Sequence, residues 1–452
     1  MEGEVLKLDV TSAAMATHNS DGVVIVQVKR IGEIGSLPPK QVSIPGTLVD
    51  SIVTAEKENH FQTYATEYNH AFTGELRVPM EYLPVMMLDT RKIIARRAAL
   101  ELPIGGVVNL GIGIPEGVSS VAAEEGLLDY VTLTAEPGVI GGMPQGGLDF
   151  GAALNSESII AQNSQFDFYD GGGLDMACLG MAETDQYGNV NVSRFGPRFV
   201  GAGGFINISQ NASRLVLAGT FTAGGLEVQI KDSKLTILKE GKSKKFVKNV
   251  QQITFSGSLA AERKQPVLYV TERCVFKVIP KGLELIEVAP GIDIERDILA
   301  HMDFTPIMND VKLMDKRIFH VNPMDLQGDS INAPIENRIK LNDDKTTLEI
   351  NFREFAINTK EELLFLEKRI INLCESAKGK VDMTAWYDGF SINPELDELF
   401  SEAMVALETK YYNSATRYTR DPFIRLKFDA QLAKRESTRL DNKDSLPSSN
   451  SK

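Results

Sequence analysis

The sequence has few of the side chains that build disulfide frameworks or metal sites. Its 452 residues include only three cysteines, which lie far apart, and five histidines without the spacing typical of a zinc site. These residues are Cys178, Cys274 and Cys374, and His18, His60, His70, His301 and His320. We therefore expect no disulfide framework and no bound metal, and the low cysteine content indicates a reducing compartment.

The chain also lacks a long apolar run and a positive net charge. No segment approaches the roughly 18 to 20 consecutive apolar residues that a membrane-spanning helix needs. The formal net charge is -13, which disfavours nucleic acid or an anionic membrane as the main partner. The acidic start "MEGEVLKLDV" is typical of neither a signal peptide nor a transit peptide. We expect a cytoplasmic protein, or a mitochondrial one if the source is eukaryotic and a targeting segment lies upstream.

Two common nucleotide-binding motifs are absent as well. The P-loop pattern GxxxxGK[ST] does not occur, and the dinucleotide pattern GxGxxG fails at Gly111 because position 116 is a glutamate.

What the chain does contain is an α/β pattern over residues 89–136. Asp89 is a candidate N-cap of a helix, Val107 to Leu110 predicts a buried strand, and Gly111 and Gly113 form a loop before a second helix. This order predicts parallel strands in an α/β sheet.

Glu136 follows the next predicted strand and precedes a glycine-rich loop. In "LTAEPGVIGGMPQGGLDFGA", residues 133–152, six glycines follow the glutamate, and Asp149 is the only other charged residue. Ligands of open α/β sheets bind at the carboxyl ends of the strands, and glycine permits close approach of a ligand. Glu136 is therefore either a solvated turn residue or a nucleophile. At an ordinary glutamate pKa of about 4.3 it would be ionised at neutral pH.

Two further segments can each be interpreted in structural or in functional terms. The glycine loop from Gly201 to Gly204 indicates either a tight turn or a loop that binds a nucleotide or phosphate. The basic run "KEGKSKKFVK", Lys239 to Lys248, is interpreted as the exposed face of a hairpin, with a patch for cofactor phosphates as the alternative.

Composition and periodicity divide the chain into five segments. Residues 1–82 predict short strands and loops, with a buried strand within Asp21 to Ile31. The others are an α/β domain over 83–309, an Asp/Asn-rich linker over 310–345, a small C-terminal α/β unit over 346–433 and a disordered tail over 434–452. Within the C-terminal unit, the second helical segment is predicted over 394–419.

Five motifs occur in an order that is more specific than any of them alone. They are "NLGIGIPEGV", "AEPGVIGGMPQGG", "QFDFYDGGGLDMACLG", "GNVNVSRFGPRFVGAGGFINISQN" and "GTFTAGGLEV". With them the sequence closely resembles the family I coenzyme A transferases, in particular the single-chain type that acts on short-chain acyl-CoAs with acetate or propionate. The resemblance runs from about residue 1 into the tail. It implies an open-sheet α/β fold with a complete β-type half, of which residues 1–82 would be the last part of an α-type half.

The resemblance also implies roles for residues. Glu136 matches the nucleophile that forms a glutamyl-CoA thioester. The loop residues Gly201, Gly203 and Gly204 match a GxGG motif beside CoA and the reacting carbonyl. Gly111 and Gly113 match a second loop of the same pocket. Coenzyme A is then a substrate, and no cofactor is expected.

Two alternatives to CoA transfer stay open at this stage. Water could intercept the glutamyl intermediate, which would make the protein an acyl-CoA thioesterase. Because most of the α-type half is not visible in the sequence, the chain could instead be a non-catalytic or partner-dependent subunit. We expect a homo-oligomer or a complex with an α-type partner, with acyl-CoA and short-chain carboxylates as ligands.

Overall fold

The computed structural model describes residues 7–79, 82–330, 335–342, 344–422, 424–426 and 440–443. The chain forms two compact units, Met1–Met324 and Asp325–Lys452. Each unit has its own sheet and its own buried core, so each is described separately.

A mixed sheet of ten strands forms the centre of the first unit. In spatial order its strands are Ile307–Leu313, Gly282–Val288, Cys274–Ile279, Val267–Val270, Leu215–Ala218, Met176–Gly180, Val107–Leu110, Thr132–Ala135, Val139–Ile140 and Ser158–Ile159. The five strands from Val267–Val270 to Thr132–Ala135 run parallel to one another. Parallel strands are normally covered on both faces, and all four residues of Leu215–Ala218 are buried. The α/β open-sheet fold expected from the sequence is confirmed.

Helices connect and cover these parallel strands. The α-helices of the first unit are Val10–Asn19, Thr90–Ala99, Gly117–Glu124, Gln162–Asp170, Phe205–Asn211 and Gly257–Glu262. The predicted N-cap is confirmed, because the Asp89 side chain accepts a hydrogen bond from the Lys92 backbone N–H. Five separate two-stranded sheets are formed by Met143–Pro144 with Ala153–Leu154, Glu183–Thr184 with Val190–Asn191, Arg194–Phe195 with Arg198–Phe199, Thr222–Ala223 with Ser243–Lys244, and Glu227–Lys231 with Lys234–Lys239.

The segment near the N-terminus is more exposed than its sequence predicts. Ile25–Val28 pairs in parallel with Ser51–Thr54 as a two-stranded sheet. Val24 and Val26 are buried, but Ile25 is exposed and so is every residue of Ser51–Thr54. The prediction of a buried strand is therefore wrong, since Ile25–Val28 is covered on one face only and its partner strand is exposed on both faces.

The predicted linker over 310–345 is also corrected. Its first residues belong to the strand Ile307–Leu313, which closes the edge of the central sheet. This strand is largely exposed, as is common for edge strands, and its polar residues gave it the composition of a linker. Further along, the segment contains the strand Ile339–Leu341 of the second unit.

The second unit is built on a five-stranded sheet. Its strands in spatial order are Ile339–Leu341, Thr347–Asn351, Val381–Trp386, Tyr412–Tyr418 and Leu440–Lys443, and its helices are Leu326–Ser330, Ile335–Arg338, Lys360–Glu375 and Asp397–Tyr411. The small α/β unit was expected, and its long helix begins with a capping box formed by Thr359 and Glu362.

Two expectations for the C-terminal part need correction. The helix predicted over 394–419 ends at Tyr411, and the chain continues as the strand Tyr412–Tyr418. The predicted disordered tail contains the strand Leu440–Lys443, which pairs in parallel with that strand. The rest of the predicted tail lies outside the described residues.

Candidate active site

Glu136 lies in a tight hairpin at the carboxyl edge of the central sheet. The strand Thr132–Ala135 ends immediately before it, and the chain returns antiparallel as Val139–Ile140. Gly138 closes the turn with a φ of +117°, and a side chain there would collide with the Ile160 carbonyl oxygen. The structure therefore places Glu136 at the strand end where ligands of α/β sheets bind.

The carboxylate of Glu136 meets the second glycine loop. A Cβ atom at position 204 would lie 2.5 Å from Glu136 Oε2 and 2.6 Å from Cζ of Phe166. Gly204 thus contacts both the carboxylate and an aromatic ring, and any side chain there would displace one of them. Glu136 and the loop 201–204, which are far apart in the sequence, therefore meet at the carboxylate.

The Glu136 carboxylate is unpaired within the part of the chain that the structure describes. Among the described residues, its side chain makes no hydrogen bond and no ion pair. Burial raises the pKa of Glu136 above its ordinary value. The sequence suggested an ordinary pKa, and the structure shows an unpaired, partly desolvated carboxylate, which is more reactive towards an electrophile than a hydrated one.

The loop 201–204 bends sharply before the helix Phe205–Asn211. Gly201 has a φ of +81° and Gly203 a φ of +54°, whereas Gly204 has an ordinary φ of -76°. A Cβ atom at Gly203 would meet no heavy atom within 4 Å, so only the positive φ favours glycine there. At Gly204 the φ is ordinary, and glycine is needed because a side chain would have no room.

Gly111 and Gly113 lie at the same sheet edge but not in contact with the carboxylate. Asn109 pairs with Thr134, so Gly111 and Glu136 each stand two residues beyond paired positions of neighbouring strands. A Cβ at Gly111 would meet the Leu179 side chain at 3.1 Å, and Gly113 has a φ of +90° with open space around it. The structure brings Glu136 and Gly204 together and leaves this second loop as a neighbouring wall.

Sequence reasoning gave no role to Phe166, although the residue lies in one of the quoted motifs. Its ring touches the same position as the carboxylate and packs edge-on against Tyr169, with centroids 5.6 Å apart. Both aromatic residues are on the helix Gln162–Asp170. The sequence signal for this contact is the spacing of Phe166 and Tyr169, which places both on one helix beside a glycine-rich segment.

The basic run Lys239 to Lys248 contains both exposed and buried lysines. Lys239 and Lys244 are exposed and form ion pairs with Glu227 and Asp303, as expected for a hairpin face. Lys245 instead is buried, with its Nζ against Gly219 and no side-chain hydrogen bond or ion pair among the described residues. Its burial lowers the pKa to about 8.

The described residues contain no group of three or more histidine, cysteine, aspartate or glutamate side chains that could hold a metal ion. The three cysteines are free and buried, and burial raises the pKa of the Cys178 thiol to about 12. Across the described parts of the chain, no helix has the length and apolar character needed to cross a membrane.

Comparison with known proteins gives consistent matches. No family model matches the chain. It is 50% identical over 315 residues to caffeate CoA-transferase of Acetobacterium woodii, covering 68% of this chain and 60% of that protein. It is 45% identical over 319 residues to acetate CoA-transferase YdiF of Escherichia coli O157:H7, covering 70% of this chain and 60% of that protein. A separate subunit beta of an acetate CoA-transferase, from Haemophilus influenzae, matches at 28% identity over 230 residues and 87% of its length.

Solved structures of YdiF superpose on this fold. The apoenzyme matches with a TM-score of 0.65 and 44% identity, over 72% of this chain and 61% of that one. A YdiF structure described as a thioester complex with CoA matches with the same TM-score. The chain spans about 60% of the length of the curated relatives that it matches first. In sequence and in fold, the chain belongs to the family I coenzyme A transferases.

Proposed function

We propose that the protein transfers coenzyme A between an acyl-CoA and a free carboxylate, with Glu136 as the nucleophile. The observation that carries this proposal is the unpaired Glu136 carboxylate, which lies at the carboxyl edge of the sheet and against Gly204. The named activities of the relatives and the CoA thioester in a YdiF structure support it. We propose short-chain acids of the acetate and propionate type as substrates.

The reaction would proceed by covalent catalysis in two symmetrical halves. A Glu136 oxygen attacks the thioester carbonyl of an acyl-CoA, the C–S bond breaks, and CoA leaves as the thiolate from a mixed anhydride. The thiolate then attacks the glutamyl carbonyl, which gives a glutamyl-CoA thioester and releases the first acid. A second carboxylate reverses these steps and leaves as its own acyl-CoA, so the kinetics are ping-pong and neither metal nor redox cofactor takes part.

The glycine loop supplies candidates for stabilising the oxyanion. The backbone N–H groups of Gly203 and Gly204 donate no hydrogen bond within the described part of the chain. Free N–H groups beside a nucleophile can bind the negative oxygen of a tetrahedral intermediate. We assign them this role, and we assign Gly111, Gly113 and Gly201 to the walls along which CoA lies.

The chain matches about 60% of the length of its first relatives, so we include a further chain segment or subunit in the proposal. One relative is a separate subunit beta, so the family includes proteins assembled from separate subunits. We propose that residues 1–82 contribute to an α-type half, which an upstream extension or an α-type partner completes, and that the active form is an oligomer. A cytoplasmic location is proposed from the cysteine content alone.

The test is to trap the covalent intermediate. The full chain is incubated with acetyl-CoA and treated with borohydride, and its peptides are mapped by mass. Reduction of the glutamyl thioester at Glu136 is expected, with no label in Glu136→Gln and normal label in Glu157→Gln, an exposed glutamate of the same loop region. If the chain alone gives no label, the experiment is repeated with an α-type subunit. Label on another residue, or none in either experiment, would refute the proposal.

A second arm separates transfer from hydrolysis. Loss of acetyl-CoA is followed with and without propionate. A transferase needs the acceptor, and propionyl-CoA should appear as acetyl-CoA is lost. Hydrolysis at the same rate without propionate would identify a thioesterase instead.

A further inference from the structure

Four buried polar side chains form a hydrogen-bonded cluster that includes the strand leading to Glu136. The hydroxyl of Tyr169 stands at its centre. Asn109 Nδ2 lies 3.0 Å from the Tyr169 oxygen, Gln165 Nε2 lies 2.7 Å from it, and Thr134 Oγ1 lies 2.9 Å from it. All four side chains are fully buried. Buried polar groups require partners, and a buried cluster of this kind holds its members in one arrangement.

The direction of each hydrogen bond is determined by the donors. The two amides donate N–H to the phenol oxygen, so the phenol proton points to Thr134, whose own hydroxyl donates to the Val108 carbonyl at 3.0 Å. The oxygens Asn109 Oδ1 and Gln165 Oε1 are buried and have no hydrogen-bond partner among the residues that the structure describes. Leaving two amide oxygens unsatisfied is costly. Both amides nevertheless donate their N–H groups to the Tyr169 oxygen, so this oxygen is the shared acceptor of the cluster.

The cluster holds both arms of the Glu136 hairpin. Thr134 stands two residues before Glu136 in the strand Thr132–Ala135, and Gln165 Nε2 also approaches the Val139 carbonyl on the returning arm, at 3.4 Å. The same helix presents Phe166 to the carboxylate. One helix therefore contacts the hairpin that carries Glu136 and places an aromatic ring beside its carboxylate.

Glu136 depends on this support because, among the described residues, no hydrogen bond or ion pair orients its side chain. The direction of its carboxylate is therefore set by the hairpin backbone and by packing beside Gly204 and Phe166. A nucleophile must be held within about 0.5 Å of its productive position. We propose that the Tyr169 hydroxyl positions the Glu136 nucleophile by holding Thr134 in the strand that carries it. This inference rests on the transferase function proposed above and names a positioning residue of that same site.

The phenol suits this role because it stays neutral. Burial raises the pKa of Tyr169, and a negative charge on Glu136 acts in the same direction, against the lowering effect of its hydrogen bonds. A neutral phenol keeps its proton and so keeps the hydrogen bond to Thr134 over the range in which the enzyme works.

The primary test is Tyr169→Phe in the full chain. The variant keeps the ring and removes the oxygen. We expect the rate of glutamyl-CoA formation to fall between about 10-fold and 100-fold, the loss typical of a small misplacement of reacting groups. The KM for acetyl-CoA should change little, because the CoA-binding loops are not altered. Thr134→Val should reproduce the defect, and Thr134→Ser, which keeps the hydroxyl, should restore most of the rate.

A matched control separates positioning from loss of stability. Tyr269 is equally buried in the same core and donates its hydroxyl to the Gly188 carbonyl, away from Glu136. Tyr269→Phe should lower the melting temperature as Tyr169→Phe does, yet leave the rate of thioester formation unchanged. Equal rate losses in the two phenylalanine variants, or an unchanged rate in Tyr169→Phe, would overturn the proposal.

A readout without catalysis covers the case in which the wild-type chain forms no thioester. That result would defeat the proposed function, and the positioning role is then read from the Glu136 titration by 13C NMR of labelled glutamate, with Glu136→Gln as the assignment control. Loosening the hairpin should admit water and lower the Glu136 pKa in Tyr169→Phe but not in Tyr269→Phe. An unchanged Glu136 titration would overturn the inference.

Discussion

The Glu136 carboxylate lies so close to Gly204 that a single added carbon at position 204 would stand 2.5 Å from its Oε2. The same carbon would stand 2.6 Å from the Phe166 ring. The Glu136 carboxylate, the glycine loop and the aromatic ring therefore lie crowded together. A change in any one of them must change the surroundings of the carboxylate.

Gly204→Ala should abolish thioester formation while the protein remains folded. Because the methyl group collides with the carboxylate and with the ring, Glu136 must turn away from its position. Gly196→Asn is the matched control: Gly196 also has a positive φ, +57°, with open space around it, it is not one of the proposed site residues, and asparagine tolerates a positive φ better than other side chains. Borohydride trapping and a melting curve measure both effects. A folded Gly204→Ala protein with normal labelling would remove Gly204 from the site.

Glu136→Gln should lose transfer and gain stability at neutral pH. Since burial raises the Glu136 pKa, the folded protein holds a proton there that the unfolded chain releases near pH ~4.3. Stability from this group is thus full at low pH and is lost as the pH rises through the raised pKa. The gain in melting temperature over wild type should be larger at pH 7.5 than at pH 4. A Glu136→Gln protein that is less stable than wild type at pH 7.5 would contradict this. Glu136→Asp should be severely impaired, because its carboxylate is one methylene short.

Phe166→Ala should lower the pKa of Glu136. The ring lies beside the carboxylate, so we expect its removal to admit water and restore hydration of the charged form. The acidic limb of the rate profile should therefore move to lower pH, while the rate at neutral pH falls because the carboxylate is less desolvated. Phe199→Ala, at an exposed position before the glycine loop, is the control. An acidic limb that does not move would mean that other groups desolvate Glu136.

Local signals in the sequence predicted much of the fold around the site. The N-cap at Asp89, the strand Val107–Leu110 and the position of Glu136 after a strand each depend on neighbouring residues, and each is found in the structure. The contact between Glu136 and Gly204 joins two distant segments and follows only from the order of strands in the sheet. Residue types at these positions could not reveal it.

Composition also gave the wrong expectation where burial differs from the polarity of the residues. The strand Ile307–Leu313 has the polar composition of a loop because it is an exposed edge, and Lys245 stands in a charged run yet turns inward. In both segments the three-dimensional neighbours determine the environment. The resemblance of the motifs predicts Glu136 as the nucleophile, whereas the buried cluster around Tyr169 is evident only in the three-dimensional structure.

Lys245→Met should stabilise the protein at neutral pH. The folded pKa is lowered from 10.5 to about 8 by burial, so between these values the unfolded chain binds more protons than the folded one. Stability should therefore rise as the pH increases through this window, and the full penalty, about 3 kcal/mol, applies at pH 7. Lys244→Met, at an exposed neighbour, should change stability little. Denaturant unfolding at pH 7 and pH 10 measures the difference, and a destabilised Lys245→Met at pH 7 would show that its attraction to Glu272 dominates.

The small parallel sheet near the N-terminus presents an apolar surface. Ile25, Ile52 and Val53 are each about half exposed or more, and parallel pairs are rarely left open to water. Exposed apolar sheet surfaces favour association. We therefore expect the purified 452-residue chain to self-associate and to show little transfer by itself, and to gain activity with an α-type partner or an upstream extension that covers this surface. The assay is CoA transfer from acetyl-CoA to propionate beside size-exclusion chromatography.

Two substitutions test whether this surface is responsible. Ile52→Lys together with Val53→Glu places charge on the exposed strand and should shift the chain towards a smaller apparent mass. Leu238→Lys, at an equally exposed apolar position on the hairpin Glu227–Lys239, should leave the elution volume unchanged. In the presence of the partner, the double variant should show weaker activation, because the charges oppose docking on that strand. A monodisperse wild-type chain with robust turnover and no partner would refute the prediction, and would mean that residues 1–82 already complete the pocket.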